Sequence, residues 1–255
     1  MKIIRDIRYS PKSVGGSRLG DLYLPETAAA GAALAIHGGG WSALNRRSFA
    51  GGAEFLCRDL GLVTFNIEYR LVGETPWPAC GDDCLEAANY FLKELLPQYF
   101  SGKPPRILVV GGSAGGQLAL VTGLRLPADE VSGIVSISGI DALEPDFKLR
   151  PDRYRGLFGA EPTEELIAEA SPMTYLTPDS PPILCTHTRY DEVVPFASAE
   201  EFLRRAKEEK GVTVQSYFYD RRNDGHCIWI PGSDPHRLYP DIEDAISRFT
   251  AGCAR

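Results

Sequence analysis

"VVGGSAGGQLAL", residues 109–120, sets how the rest of the chain is read. The run leading into it, "RILVVGG" (106–112), is apolar at nearly every position, as strands buried on both faces are. The residues after it read as the start of a helix, and Gly111-x-Ser113-x-Gly115 lies at the junction. Strand, tight turn and helix around G-x-S-x-G make a nucleophile elbow. The turn leaves no room for side chains beside the serine, which accounts for the glycines, and it lifts Ser113 above the sheet edge. The helix behind presents its N-terminus, where partial positive charge favours an oxyanion. A phosphate loop fits less well. Gln117 and Leu118 stand where a P-loop needs Lys and Ser or Thr, and the G-x-G-x-x-G spacing of a dinucleotide site is missing.

The rhythm continues on both sides of the elbow. Strands are expected at 20–24, 33–37, 62–67, 107–111, 133–138, 183–186 and 214–219, with an edge strand at 3–9. Helices are expected at 48–60, 83–95, 113–124, 197–210 and 241–250. In the first of these, Phe49, Ala53, Leu56 and Leu60 recur at helical spacing. Alternating β and α predicts an α/β fold, a mostly parallel sheet of about eight strands with helices on both faces. The stretch 140–180 breaks the rhythm: it has no strong strand and carries Pro145, Pro151, Pro162, Pro172 and Pro178. One short helix is expected there at 163–170, with Thr163 as N-cap and Glu164 and Glu165 in its first turn. The stretch reads as a lid-like insertion lining the pocket, within a single domain over 1–255.

Composition narrows the function. The 255 residues are 44% hydrophobic and 24% charged, the ordinary globular mix, with a net charge of −7. Acidic residues are dispersed and no Lys/Arg stripe occurs, so nucleic-acid binding lacks its footprint. No long uncharged apolar run supplies a membrane span. No apolar signal core follows Lys2, Arg5, Asp6 and Arg8, so the expectation is a cytoplasmic protein, with secretion of a processed form left open. The six cysteines are read as mostly free. Cys57 and Cys185 lie inside apolar runs, whereas Cys80 and Cys84, four apart, leave a disulfide or metal pair open. No cofactor and no metal are expected.

A serine hydroxyl needs a base, and the base needs an acid to orient it. Four histidines are available. His37 opens "HGGGW" after a strand, and His187 ends one. His236 sits in a polar stretch and is the reserve candidate. His226, in "NDGHCIW" just past the strand at 214–219, has the position that the order Ser, acid, His requires. Asp191 in "ILCTHTRYDEVVP" follows the penultimate strand and is the expected acid; Glu192 is adjacent, and Asp220 and Asp224 lie near the histidine. In "HGGGW" the glycines let backbone N–H groups approach a substrate, so Gly39, Gly40 and Ala114 are the expected oxyanion donors. His37 is expected to hold that loop without titrating in catalysis. Trp41, Trp77, Phe147, Tyr154 and Phe158 are aromatic candidates for contact with an acyl group or for packing, and Trp41 is the one carried forward as a substrate contact.

Together these residues resemble the α/β-hydrolase superfamily, and within it the hormone-sensitive-lipase-like and feruloyl-esterase-like carboxylesterases. The resemblance rests on "HGGGW" (37–41), "EYRL" (68–71), "PWPACGDD" (76–83), "GGSAGG" (111–116), "SPMTYL" (171–176), "DEVVP" (191–195) and "DGH" (224–226). It implies Ser113 as nucleophile, His226 as base, Asp191 as acid and the oxyanion positions above. It also implies a structural, non-catalytic role for Glu68-Tyr69-Arg70. Two departures stand out. Only 36 residues precede His37 in this sequence, so the first strands and little else are expected before it, and His187-Thr188 stands where relatives often have His-Gly. The function that follows is a cofactor-free serine carboxylesterase for short-chain or aryl esters of acetyl or feruloyl type, free or carbohydrate-linked. An arylformamidase or peptidase-like amide hydrolase is the rival, since the same triad serves amides. A catalytically silent binding protein on this fold would have lost a triad member.

Overall fold

A computed structural model describes residues 1–11, 17–222, 225–226 and 228–253. Eight strands share one sheet: β1 (Lys2–Arg8), β2 (Leu19–Leu24), β3 (Gly31–Ile36), β4 (Leu62–Ile67), β5 (Ile107–Gly112), β6 (Val131–Ile137), β7 (Ile183–Thr188) and β8 (Gln215–Tyr219). Their order is β1-β2-β4-β3-β5-β6-β7-β8. The first two pairings are antiparallel, and every pairing from β4 to β8 is parallel. This is the expected α/β-hydrolase sheet, with strand ends displaced by at most two residues from the pattern-based positions. Every residue of β4, β5 and β7 is buried, which is why these strands read as continuous apolar runs rather than as alternation.

The helices outside 140–180 are α1 (Ala50–Arg58), α2 (Ala79–Tyr90) and α3 (Ala114–Arg125) before that stretch, and two more after it. A 3-10 turn, Arg46–Phe49, leads into α1, and one π turn, Phe91–Leu95, extends α2. The expected helix at 83–95 therefore begins a turn earlier. Pro78 sits immediately before its first residue, where a missing N–H has no intrahelical partner to lose.

The stretch 140–180 holds four short helices where one was expected: α4 (Leu143–Leu149), α5 (Pro151–Phe158), α6 (Glu164–Ala170) and α7 (Pro172–Tyr175). Pro151 and Pro172 open helices rather than break them, because a first-turn proline loses no intrahelical bond. Thr163 caps α6 as anticipated, its hydroxyl accepting from the Leu166 N–H at 3.3 Å. The chain continues through α8 (Ala197–Lys210) and α9 (Pro240–Cys253). Among the described residues no helix is long and apolar enough to cross a membrane.

The pleat divides the core between two faces. Leu34, Ile36, Val109 and Ile134 pack with Leu118, Ala87 and Phe202 from α3, α2 and α8. Ala33, Ala35, Leu108, Val110 and Val135 pack on the other side with Ala53 and Leu56 of α1 and Ile246 and Phe249 of α9. The C-terminal ends of β3, β5, β7 and β8 thus open onto loops held by a rigid sheet, and those loops carry the candidate residues.

Candidate active site

Ser113 sits between β5 and α3 with φ 57° and ψ −126°, a conformation that costs a non-glycine residue about 1–3 kcal/mol. Its surroundings allow nothing else. A Cβ on Gly111 would lie 2.0 Å from the Gly115 carbonyl oxygen, and one on Gly115 would lie 2.4 Å from those of Ile36 and His37. Close approach of strand, helix and the β3 loop therefore requires both glycines of the motif. The Ser113 N–H is spent on Ile137 O at 2.9 Å, which ties the elbow to β6.

The other two residues come from loops far apart in sequence. His226 Nδ1–H donates to Asp191 Oδ2 at 2.8 Å. Asp191 follows β7 and its side chain is fully buried. Its second oxygen, Oδ1, accepts from the N–H groups of Val193 at 2.9 Å and Val194 at 2.8 Å. With Nδ1 committed to the carboxylate, His226 Nε2 is the nitrogen left to act. It is buried and has no hydrogen-bond partner among the described residues. Ser113 and His226 line one cleft of about 360 Å³. The other acid candidates stand apart from this pair. Asp220 bonds Arg189 at 3.0 Å, Glu192 is exposed, and Asp224 lies outside the described residues. His236 lines the same cleft but donates from Nδ1 to Ser233 O at 3.2 Å, with no carboxylate to orient it.

The "HGGGW" loop lies directly on the elbow: a Cβ on Gly38 would touch Gly112 O at 2.7 Å and Ser113 Cβ at 3.0 Å. Gly38, Gly39 and Gly40 line the cleft. Gly39 (φ 108°) and Gly40 (φ 58°) turn their backbone through the left-handed region. No hydrogen bond among the described residues engages the N–H of Gly39, Gly40 or Ala114. His37 is fully buried and holds the loop from beneath. Its Nδ1–H donates to Gly38 O at 2.7 Å and its ring stacks on Tyr69 at 4.2 Å. Its Nε2 stands 3.2 Å from Glu68 Oε1, off the line of a good hydrogen bond. The Tyr69 hydroxyl donates to His37 O at 3.1 Å, and Arg70 forks onto Asp83 at 2.8 and 2.7 Å. Glu68 and Tyr69 therefore back the loop, while Arg70 ties the same segment to α2.

Trp41 is a correction. It is completely buried, and its indole N–H donates to Gln117 Oε1 at 3.0 Å, so it packs beneath the site and cannot touch a substrate in the cleft. Trp77, Tyr154 and Phe158 are likewise buried in the core, and Phe147 packs edge-on against Tyr154 at 5.4 Å. The stretch 140–180 lines no part of the cleft, contrary to the lid expectation. The walls are instead Leu44, Ser48, Val193, Ile228, Trp229 and His236. Trp229 stands edge-on to Phe49 at 5.3 Å and 6.2 Å from the His236 ring. The available signal was proximity: Ile228 and Trp229 lie two and three residues past His226 in "NDGHCIW".

The acid loop is braced from outside by 140–180. Arg150 donates to Glu192 O at 2.9 Å and Arg153 to Val193 O at 3.3 Å, and both pair with the fully buried Asp146 carboxylate. Five of the six cysteines can be placed, Cys227 lying outside the described residues. Cys57, Cys80, Cys84, Cys185 and Cys253 are free, and burial pushes the Cys80 thiol up to about 12. Among the described residues no group of three or more His, Cys, Asp or Glu could hold a metal.

Comparison with known proteins adds a second line of support. The sequence model of the BD-FAE family matches residues 20–205. The chain is 32% identical over 136 residues to versiconal hemiacetal acetate esterase stcI of Emericella nidulans, covering 52% of this chain and 45% of that protein. It is 27% identical over 192 residues to "Probable carboxylic ester hydrolase LipM" of Mycobacterium tuberculosis, covering 68% and 44%. The chain thus spans less than half the length of these curated relatives. A truncated carbohydrate esterase from gut microbiota has the same fold, with a TM-score of 0.80 at 22% identity over 100% of this chain and 96% of that one.

Proposed function

The chain belongs to the BD-FAE family, and on that premise we propose that it is a serine carboxylic ester hydrolase for esters with short-chain or aryl acyl groups, free or carried on carbohydrate. One observation carries the reading: His226 spends Nδ1 on Asp191 and keeps Nε2 free in the cleft that the strained Ser113 also lines. Nε2 takes the Ser113 proton as the oxygen attacks the ester carbonyl. Asp191 holds the tautomer and stabilises the imidazolium that forms. The tetrahedral oxyanion rests on the N–H groups of Gly39, Gly40 and Ala114, each such donor typically contributing about 2.7–4 kcal/mol. His226 returns its proton to the leaving alcohol, and water then cleaves the acyl-enzyme by the same steps.

Substrate size follows from the cleft. Its volume, about 360 Å³, is near the low end for small-molecule sites, roughly 300–1,000 Å³. Leu44, Val193, Ile228 and Trp229 make the wall apolar, and Leu44 and Val193 are themselves exposed at the rim. That favours a compact acyl group, aliphatic or with one ring, on an alcohol that extends outward. The acetate ester and carbohydrate ester named for two of the similar proteins are compatible with this shape.

The test compares hydrolysis of p-nitrophenyl acetate, butyrate and octanoate, and of a matched anilide, by wild type and Ser113→Ala. Ester activity that falls with acyl length and drops by at least about a thousandfold in Ser113→Ala is the expected result. Equal activity in the variant removes Ser113 as nucleophile, and a preference for the anilide moves the reading to an amide hydrolase.

A further inference from the structure

A second histidine stands on the same carboxylate, and the relay proposed above gives it no role. His187 is the penultimate residue of β7 and is fully buried. Its Nε2 lies 3.1 Å from Val194 O and 3.5 Å from Asp191 Oδ2, the oxygen that accepts from His226. A carbonyl and a carboxylate can only accept, so the Nε2 of His187 carries the proton and Nδ1 is bare. Nδ1 has no hydrogen-bond partner among the described residues. Val194 closes the circuit, because its N–H donates to Asp191 Oδ1 at 2.8 Å while its carbonyl accepts from His187. Phe196 packs edge-on against the ring at 5.8 Å.

We propose that His187 is a positioning residue for the base: a buried imidazole whose Nε2–H on the Val194 carbonyl holds the acid loop in place, with the Val194 N–H in turn on Asp191 Oδ1. The inference rests on the Ser113–His226–Asp191 reading. The ionisable groups around His187 are Asp191, Asp141 and His226. Burial lowers its pKa more than the two carboxylates raise it, so the ring stays neutral where an exposed histidine would charge. Asp141, after β6, is itself pushed up by burial and takes the Ser136 hydroxyl on one oxygen. The N–H on Val194 O fixes the turn that presents Asp191 to His226, because the same residue donates its own N–H to Asp191 Oδ1. Without it, the carboxylate is held less firmly against His226.

Two polar replacements separate positioning from packing. The side-chain amide of His187→Gln reaches the Nε2 position and keeps a donor there, whereas that of His187→Asn ends near Nδ1. Each variant is assayed for thermal melting, for kcat and KM on p-nitrophenyl acetate, and for the rate of labelling by a fluorophosphonate. Expected for His187→Asn is a loss of about 10- to 100-fold in kcat, the scale of a small misplacement of catalytic groups. KM should hold within about threefold, because His187 does not line the cleft. His187→Gln should stay within about threefold of wild type in kcat, since its donor is retained. Equal loss of kcat in both variants, or a loss in His187→Asn carried by KM alone, overturns the proposal. Ser113→Ala and wild-type labelling are read in parallel, so failure of the triad reading shows as activity without Ser113 and is distinct from failure of the His187 role.

Discussion

Asp191→Asn tests the relay most directly, because the structure dictates how the amide must sit. Asp191 Oδ1 accepts two backbone N–H groups, from Val193 and Val194. Turning an NH2 toward them would leave two donors unpaired, at about 1–3 kcal/mol each, so the amide oxygen stays on that side. The NH2 then occupies the place of Oδ2, 2.8 Å from His226 Nδ1 in the native chain. Facing a donor, Nδ1 must accept, and the imidazole proton moves to Nε2, the nitrogen that has to take a proton from Ser113. The base is switched off with its position unchanged. The equivalent tautomer change in a serine hydrolase lowers kcat by about 10⁴-fold, or about 5.4 kcal/mol at ~1.36 kcal/mol per decade. Asp191 does not line the cleft, so KM should hold within about threefold, as for a group outside ground-state binding. The assay is steady-state hydrolysis of p-nitrophenyl acetate beside a thermal melt. A folded variant that keeps kcat within about tenfold of wild type would show that Asp191 does not orient the base.

Three further outcomes are expected. Gly115→Ala places a methyl group 2.4 Å from two backbone carbonyl oxygens that have no room to move, so destabilisation should exceed the ~1–3 kcal/mol of ordinary overpacking; an unchanged melting temperature would contradict the elbow geometry. Trp229→Ala removes the largest wall of the cleft and should weaken kcat/KM for an aryl acyl ester by about 10-fold more than for acetate; equal changes on both would mean that the acyl group sits elsewhere. The third concerns pH. His187 is held below its ordinary value of 6.5 by burial, so the native chain resists charging it while the unfolded chain does not. Its contribution to stability is full above 6.5 and is lost as pH falls through the lowered native value. The urea midpoint should therefore fall more steeply below about pH 6.5 in wild type than in His187→Gln, and parallel curves would refute the assignment.

The sheet was readable because its signal is local. Strands buried on both faces must be apolar at every position, and "RILVVGG" and "LVTFNI" (62–67) satisfy that whatever surrounds them. The elbow was readable for a similar reason: a turn that brings Gly115 against the Ile36 and His37 carbonyls tolerates no other residue, so the constraint is written in the letters. Four helices in 140–180 were mostly missed because proline is ambiguous, a breaker inside a helix and a good first residue, and only packing decides which.

The elbow motif picked Ser113, and chain order then picked Asp191 and His226 from among the acid and base candidates, because the loops after the parallel strands open at one end of the sheet. That Asp191 meets His226 across 35 residues, while Asp220 pairs with Arg189, depended on how two loops cross above β7 and β8. The same crossing set Trp229, His236 and Val193 around Ser113, with Leu44 facing them from the loop after β3, and Trp41 lies beneath. Trp41 and Trp229 are chemically alike and each lies near a candidate motif, so nothing local separates them. Which indole faces the cleft depends on what else packs against it, and that is a property of the folded chain alone. The Asp191–His187 contact has the same origin: four residues apart in sequence, the two groups meet because the acid loop turns back over the end of β7.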